Sequence, residues 1–122
     1  MDVKESCRGR WGAIVFATLA DGTCPATDFF NSHGLKEKAK LAALFQRYAD
    51  HGYITNREKF RKIAPDLYEF KGHQVRMFCY PDGRTMVVTH GAIKKRDDLD
   101  PADLTRARRI RDEYQVLLQR KK

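Results

Sequence analysis

The period of the apolar positions changes along the chain, and each change predicts an element. Over 35–50 they recur every three or four residues. Leu35, Ala39, Ala42, Phe45 and Ala49 share one face, and Leu41, Leu44 and Tyr48 widen it, which predicts a helix. Lys36, Lys38, Lys40 and Arg47 are left for solvent, and Gly52 supplies a left-handed stop. A short second helix is predicted over 57–63, capped by Asn56, with Phe60 and Ile63 inward and Pro65 ending it. The period then falls to two. Strands are predicted over 67–71, 74–80 and 85–92, joined by turns at Gly72-His73 and at Pro81-Asp82-Gly83-Arg84.

Upstream, 12–19 reads as a first strand, β-branched and apolar on both faces. Residues 1–10 read as a polar arm. The stretch 20–33, with Gly22, Pro25, Asn31 and Ser32, reads as a loop. At the other end Asp100 caps a last helix with Pro101 in its first position. Leu104, Ala107, Ile110, Tyr114 and Leu117 form its stripe, and Arg106, Arg108, Arg109 and Arg111 crowd the remaining faces. The predicted order is β-α-α-β-β-β-α. The fold class is α+β, with a single mostly antiparallel sheet and helices packed mainly on one face.

At 122 residues the chain is expected to be a single domain, 1–122. Three cysteines without close spacing, Cys7, Cys24 and Cys79, argue against a disulfide framework and against a zinc site. Cys79 lies in an apolar strand and reads as a buried thiol. No stretch approaches the ~20 apolar residues that span a bilayer. The run 11–20 contains Gly12 and Thr18 and meets Asp21, so it reads as a buried strand and not a signal peptide. A cytoplasmic protein with no membrane contact is expected.

Charge narrows the function. The net charge is +8, and residues 1–33 carry three basic and four acidic residues, so the remainder holds +9. Such a surface attracts polyanions through phosphate contacts and counterion release. The chain has no phosphate loop, no dinucleotide fingerprint, no nucleophile elbow and no metal-spaced His/Cys cluster. These absences argue against an NTPase, a dehydrogenase or a zinc enzyme, and no metal or cofactor is expected.

Arg76 is the most informative residue. It interrupts the apolar strand Val75-Arg76-Met77-Phe78-Cys79-Tyr80, where a guanidinium is costly to bury without a partner. It fits an internal ion pair, for instance to Glu69 on the neighbouring strand, as well as it fits a phosphate grip on a concave sheet face. His90, Lys94, Lys95 and Arg96 leave the last predicted strand together. RNA transesterification needs a deprotonated 2′-hydroxyl, a stabilised phosphorane and a protonated 5′-oxygen. Lysine and arginine supply these where neighbouring cations lower a lysine's pKa, and a histidine can serve as acid or base. Lys71 and His73 flank the turn before Arg76. Arg57, Lys59, Arg61 and Lys62 form a basic patch suited to phosphate contacts. Phe29, Phe30 and Tyr53 are candidates for stacking on bases, although aromatics near loops are more often core plugs.

Three runs in fixed order carry a family resemblance: Leu67-Tyr68-Glu69-Phe70-Lys71, then Val75-Arg76-Met77-Phe78-Cys79-Tyr80, then Val87-Val88-Thr89-His90-Gly91-Ala92-Ile93-Lys94-Lys95, followed by a helix with Ala107 and Tyr114. Over about residues 35–115 the chain resembles the RelE/ParE/HigB toxin superfamily, its HigB-like and phage-derived members above all. The resemblance implies a RelE-like fold. It also implies a ribosome-dependent, metal-independent mRNA endonuclease whose partners are translated mRNA and a cognate antitoxin. By motif position Arg76 matches the central arginine that stabilises the transition state. Lys94 and Lys95 match the cationic segment after the last strand, Lys71 a basic residue of the groove, and His90 a further participant. The N-terminal extension and the loop with Cys24 and Pro25 are longer than in that pattern. Tyr114 lies on a helix stripe and does not match the C-terminal tyrosine of several ribonuclease members. ParE relatives share the fold and poison gyrase, and a non-catalytic nucleic-acid-binding protein is the third alternative.

Overall fold

The computed structural model describes residues 5–94 and 99–120. Its elements are β1 (Glu5–Arg8), β2 (Ala13–Phe16), α1 (Pro25–Asn31), α2 (Leu35–His51), β3 (Phe60–Ala64), β4 (Leu67–Gly72), β5 (Val75–Asp82), β6 (Thr85–Ile93) and α3 (Pro101–Arg120). The six strands form one mixed sheet in the order β1-β2-β6-β5-β4-β3. β2 runs parallel to β6, and the other pairings are antiparallel. The α+β class and the mostly antiparallel sheet agree with the sequence reading.

β5 explains how the layers are arranged. Its first six residues are all buried, which requires cover on both faces. Val75, Met77 and Cys79 enter a core with Leu41, Phe45 and Tyr48 of α2 and Ala26 of α1. Phe78 and Tyr80 enter a second core with Ala107, Ile110 and Tyr114 of α3. Two of the three helices therefore share one face, and α3 covers the other.

Three local readings change. The expected N-terminal arm contains a strand: β1 pairs with β2 in the register Arg8↔Ala13, and Gly9 N–H donates to the Gly12 carbonyl at 2.8 Å. Its polar composition suits an edge strand. The expected loop at 20–33 contains α1, because Pro25 sits in the first turn, where a helix tolerates it. The expected helix at 57–63 is a turn leading into β3. Phe60 and Ile63 are three apart, which on a helix would put them on one face. In the strand they point to opposite faces, and Phe60 joins the first core while Ile63 packs against the second. Asn56 Oδ1 still accepts from the Glu58 amide at 2.9 Å, but it closes a turn and not a helix.

Candidate nucleic-acid site

The site grows out of the sheet face beneath α3. Along this face Leu67, Phe78, Tyr80 and Val87 meet the helix. Toward one end of the sheet the same rows turn polar. Period-two alternation continues β4 from Leu67 to Glu69 and Lys71, and β5 backwards from Phe78 to Arg76. Register places Lys71 directly opposite Arg76, Arg76 opposite Ala92, and Phe78 opposite His90. The Lys94 amide donates to the Gln74 carbonyl at 2.7 Å and so continues the ladder past β6.

Two carboxylates organise these cations. Glu69, 1% exposed, takes Arg61 Nε at 2.5 Å on one oxygen and faces Arg76 Nε at 3.8 Å on the other. Arg76 also donates through Nη1 to the His73 carbonyl and, at 3.3 Å, to that of Val75. The internal pairing to Glu69 is thus present, and Arg76 and Lys71 are buried, at 6% and 7% exposure. Asp103, in the first turn of α3, takes Lys94 Nζ at 2.6 Å and faces His90 Nε2 at 3.3 Å. The other ring nitrogen, Nδ1, lies 3.2 Å from the Thr89 hydroxyl, which donates to the Phe78 carbonyl at 3.2 Å.

His90 is 1% exposed and stacks on Phe78 at 4.8 Å between ring centroids. Burial, helped by nearby Arg106 and Arg109 and opposed by Asp103, pushes its pKa down to about 4. It is therefore neutral at physiological pH. The unfolded chain protonates this ring near 6.5 and the folded one near 4, so between these values the unfolded state binds more protons. The stabilisation is complete above pH 6.5 and is lost as pH falls toward 4. A loss of about 3 kcal/mol is expected over that window from this group. His90→Gln should flatten that part of the urea-midpoint profile, and parallel profiles for the two proteins would refute the assignment.

The remaining sequence candidates separate. Arg61 joins the Glu69 cluster. Arg57 and Lys59 are exposed in the turn before β3, Lys62 is exposed on β3, and His73 is exposed in the β4–β5 turn with φ 59°. The Lys59 carbonyl accepts from the Lys71 amide at 2.7 Å, which ties this basic turn to the cluster. Lys95 and Arg96 lie outside the described residues. Asp103 was missed because the sequence shows it as an ordinary acidic residue of a helix first turn. Its cationic partner is nine residues earlier, which only the packing of α3 on β6 reveals. Phe29 and Phe30 are core plugs. Phe30 packs on Phe16 and Phe45, and Phe29 occupies the space that a side chain at Gly91 would need.

Residues 28–112 match the family of phage-derived Gp49-like proteins (DUF891). The chain belongs to this Gp49-like family. The family is related to toxin–antitoxin systems of the RelE/HigB type. The match takes in Lys71, Arg76, His90, Lys94 and Asp103, so the whole polar end of the sheet face is Gp49-like territory, whereas β1 and β2 lie before it. No curated protein matches the chain. Among the described residues no helix is long and apolar enough to cross a membrane.

Proposed function

We propose that this Gp49-like chain is the toxin of a toxin–antitoxin pair and cleaves mRNA on the ribosome by transesterification. The reading is carried by one observation: cross-strand register sets Lys71 against Arg76 on a single sheet face. An ammonium and a guanidinium side by side suit the oxygens of a phosphodiester.

In this reading the 2′-hydroxyl oxygen attacks the adjacent phosphorus as its proton passes to a base. Arg76 and Lys71 meet the charge of the phosphorane. The 5′-oxygen then leaves with a proton from Lys94, which Asp103 holds in place. The products are a 2′,3′-cyclic phosphate and a 5′-hydroxyl. Lys95 completes the cationic set inferred from sequence. His90, neutral and buried, positions Asp103 and is not the acid. Arg57, Lys59 and Lys62 contact the backbone of the strand.

Induced expression should arrest growth, with cleavage inside translated mRNA and relief by a co-expressed antitoxin. A DNA-damage response with intact mRNA would replace this reading by gyrase poisoning. A gyrase inhibitor would present the basic face of α3 that carries Arg108 and Arg109, and Arg108 is engaged by Asp66 at 3.5 Å. Salt-dependent RNA binding without toxicity would leave a non-catalytic nucleic-acid binder.

A further inference from the structure

A concave feature lies away from the cluster, where α2 ends and the chain turns toward β3. It is a cleft of about 180 Å³ lined by Arg47, His51, Tyr53, Ile54, Thr55 and Asn56. Tyr53 is 62% exposed, an unusual cost for a large ring in a protein with well-filled cores. Its ring lies 6.4 Å from that of His51, the two inclined at 55°. Ile54, 8% exposed, belongs to the first core and anchors the segment. The far wall is fixed too, because the Asn56 carbonyl accepts from the amides of Lys59 and Phe60 at 2.9 and 3.0 Å. The cleft is thus a firm pocket with an exposed aromatic face, amide and hydroxyl groups, and a guanidinium.

Its surroundings are cationic. From Arg47 to Lys62 the chain carries five basic residues (Arg47, Arg57, Lys59, Arg61, Lys62) against two acidic ones, Asp50 and Glu58. Asp50 is turned elsewhere, accepting from Gln46 and from the Arg10 amide at 3.2 Å each. Arg57 and Lys59 are exposed in the turn that follows Asn56, and the Lys59 carbonyl accepts from the Lys71 amide. A basic track with an aromatic platform at its end is how proteins hold single-stranded nucleic acid without reading paired bases.

We propose that this cleft is a nucleotide subsite. One unpaired base of the RNA strand stacks on Tyr53, its edge meets Asn56 and Thr55, and its phosphate meets Arg47. The strand then runs over Arg57 and Lys59 to Lys71 and Arg76. The proposal rests on the reading of the chain as an RNA-acting protein, and its test needs no cleavage.

The probe is a fluorescein-labelled 2′-O-methyl RNA decamer, which transesterification cannot cut, titrated by anisotropy at several salt concentrations. Tyr53→Ala should weaken binding by about 5- to 100-fold, the effect of losing one stacked base, while Tyr53→Phe binds as wild type. Arg47→Gln should lower the salt slope by about 0.7, as for one lost phosphate contact on a single strand. A decamer of abasic sugar–phosphate should bind Tyr53→Ala and wild type alike. Wild-type affinity in a folded Tyr53→Ala protein would overturn the subsite. So would equal binding of abasic and base-bearing strands by the wild-type protein, which would mark the region as a general polyanion surface such as an acidic peptide would also use. Intact subsite behaviour without cleavage of unmodified mRNA would instead defeat the endonuclease reading alone.

Discussion

Arg76→Ala should abolish toxicity and lower mRNA cleavage by about 10²- to 10³-fold, the usual effect of removing one preorganised group that meets transition-state charge. The protein should stay folded. Glu69 keeps its 2.5 Å bond to Arg61 when Arg76 is removed, so no buried carboxylate is stranded. The lost hydrogen bonds to the His73 and Val75 carbonyls cost about 1–2 kcal/mol. Arg76→Lys keeps the charge but not the planar fork, and should recover little activity. The measurement is growth on induction, paired with a thermal melt of the purified variant. A folded Arg76→Ala protein that still arrests growth and cuts mRNA would remove Arg76 from the mechanism.

Glu69→Ala should produce the largest loss of stability. The side chain is buried and faces two guanidiniums, those of Arg61 and Arg76, across 2.5 and 3.8 Å. Removing the carboxylate takes from Arg61 and Arg76 a partner that they share, beside Lys71, and only 7% of the Arg76 side chain is exposed. Breaking a buried pair from one side costs about 3–5 kcal/mol. For a chain of this size the thermal midpoint should drop by roughly 10–20 °C. Adding Arg61→Ala to Glu69→Ala should restore part of the loss, because one of the two guanidiniums is removed with the carboxylate that it faced. A Glu69→Ala protein that melts with wild type would show that these ion pairs carry no net weight.

The contrast between these two variants follows from how the cluster is wired, and only part of that wiring was legible beforehand. Arg76 stood out because a guanidinium inside an apolar strand has few explanations, and Glu69 was the neighbouring-strand carboxylate that could answer it. Asp103 was invisible, since first-turn acids are common on helices and its partners His90 and Lys94 reach it only through α3 docking on β6. The hairpins of β4, β5 and β6 and the helix α2 were readable as elements because their periods run for several repeats and Gly52 and Gly83 mark the breaks, both with positive φ, but the buried face of α2 is Leu41, Leu44, Phe45, Tyr48 and Ala49, while Leu35, Ala39 and Ala42 are exposed. β1 and β3 were not. Both are edge strands, where polar residues are common, so β1 looks like an arm and β3 like a half-solvated helix. α1 was hidden by Pro25, which reads as a breaker unless it happens to open a helix. The run Val75–Tyr80 is apolar at every position but Arg76 and is buried on both faces, yet the helices were expected mainly on one face, because spacing alone does not assign α3 to the second.

The most direct test of the central claim is the chemistry of the RNA ends made in cells expressing the protein. Mapping of transcript termini should show new cuts inside translated regions, bearing 2′,3′-cyclic phosphate and 5′-hydroxyl groups, present with wild type and absent with Arg76→Ala. Intact transcripts in arrested cells, or new ends carrying 3′-hydroxyl and 5′-phosphate groups, would contradict transesterification on this cationic sheet face.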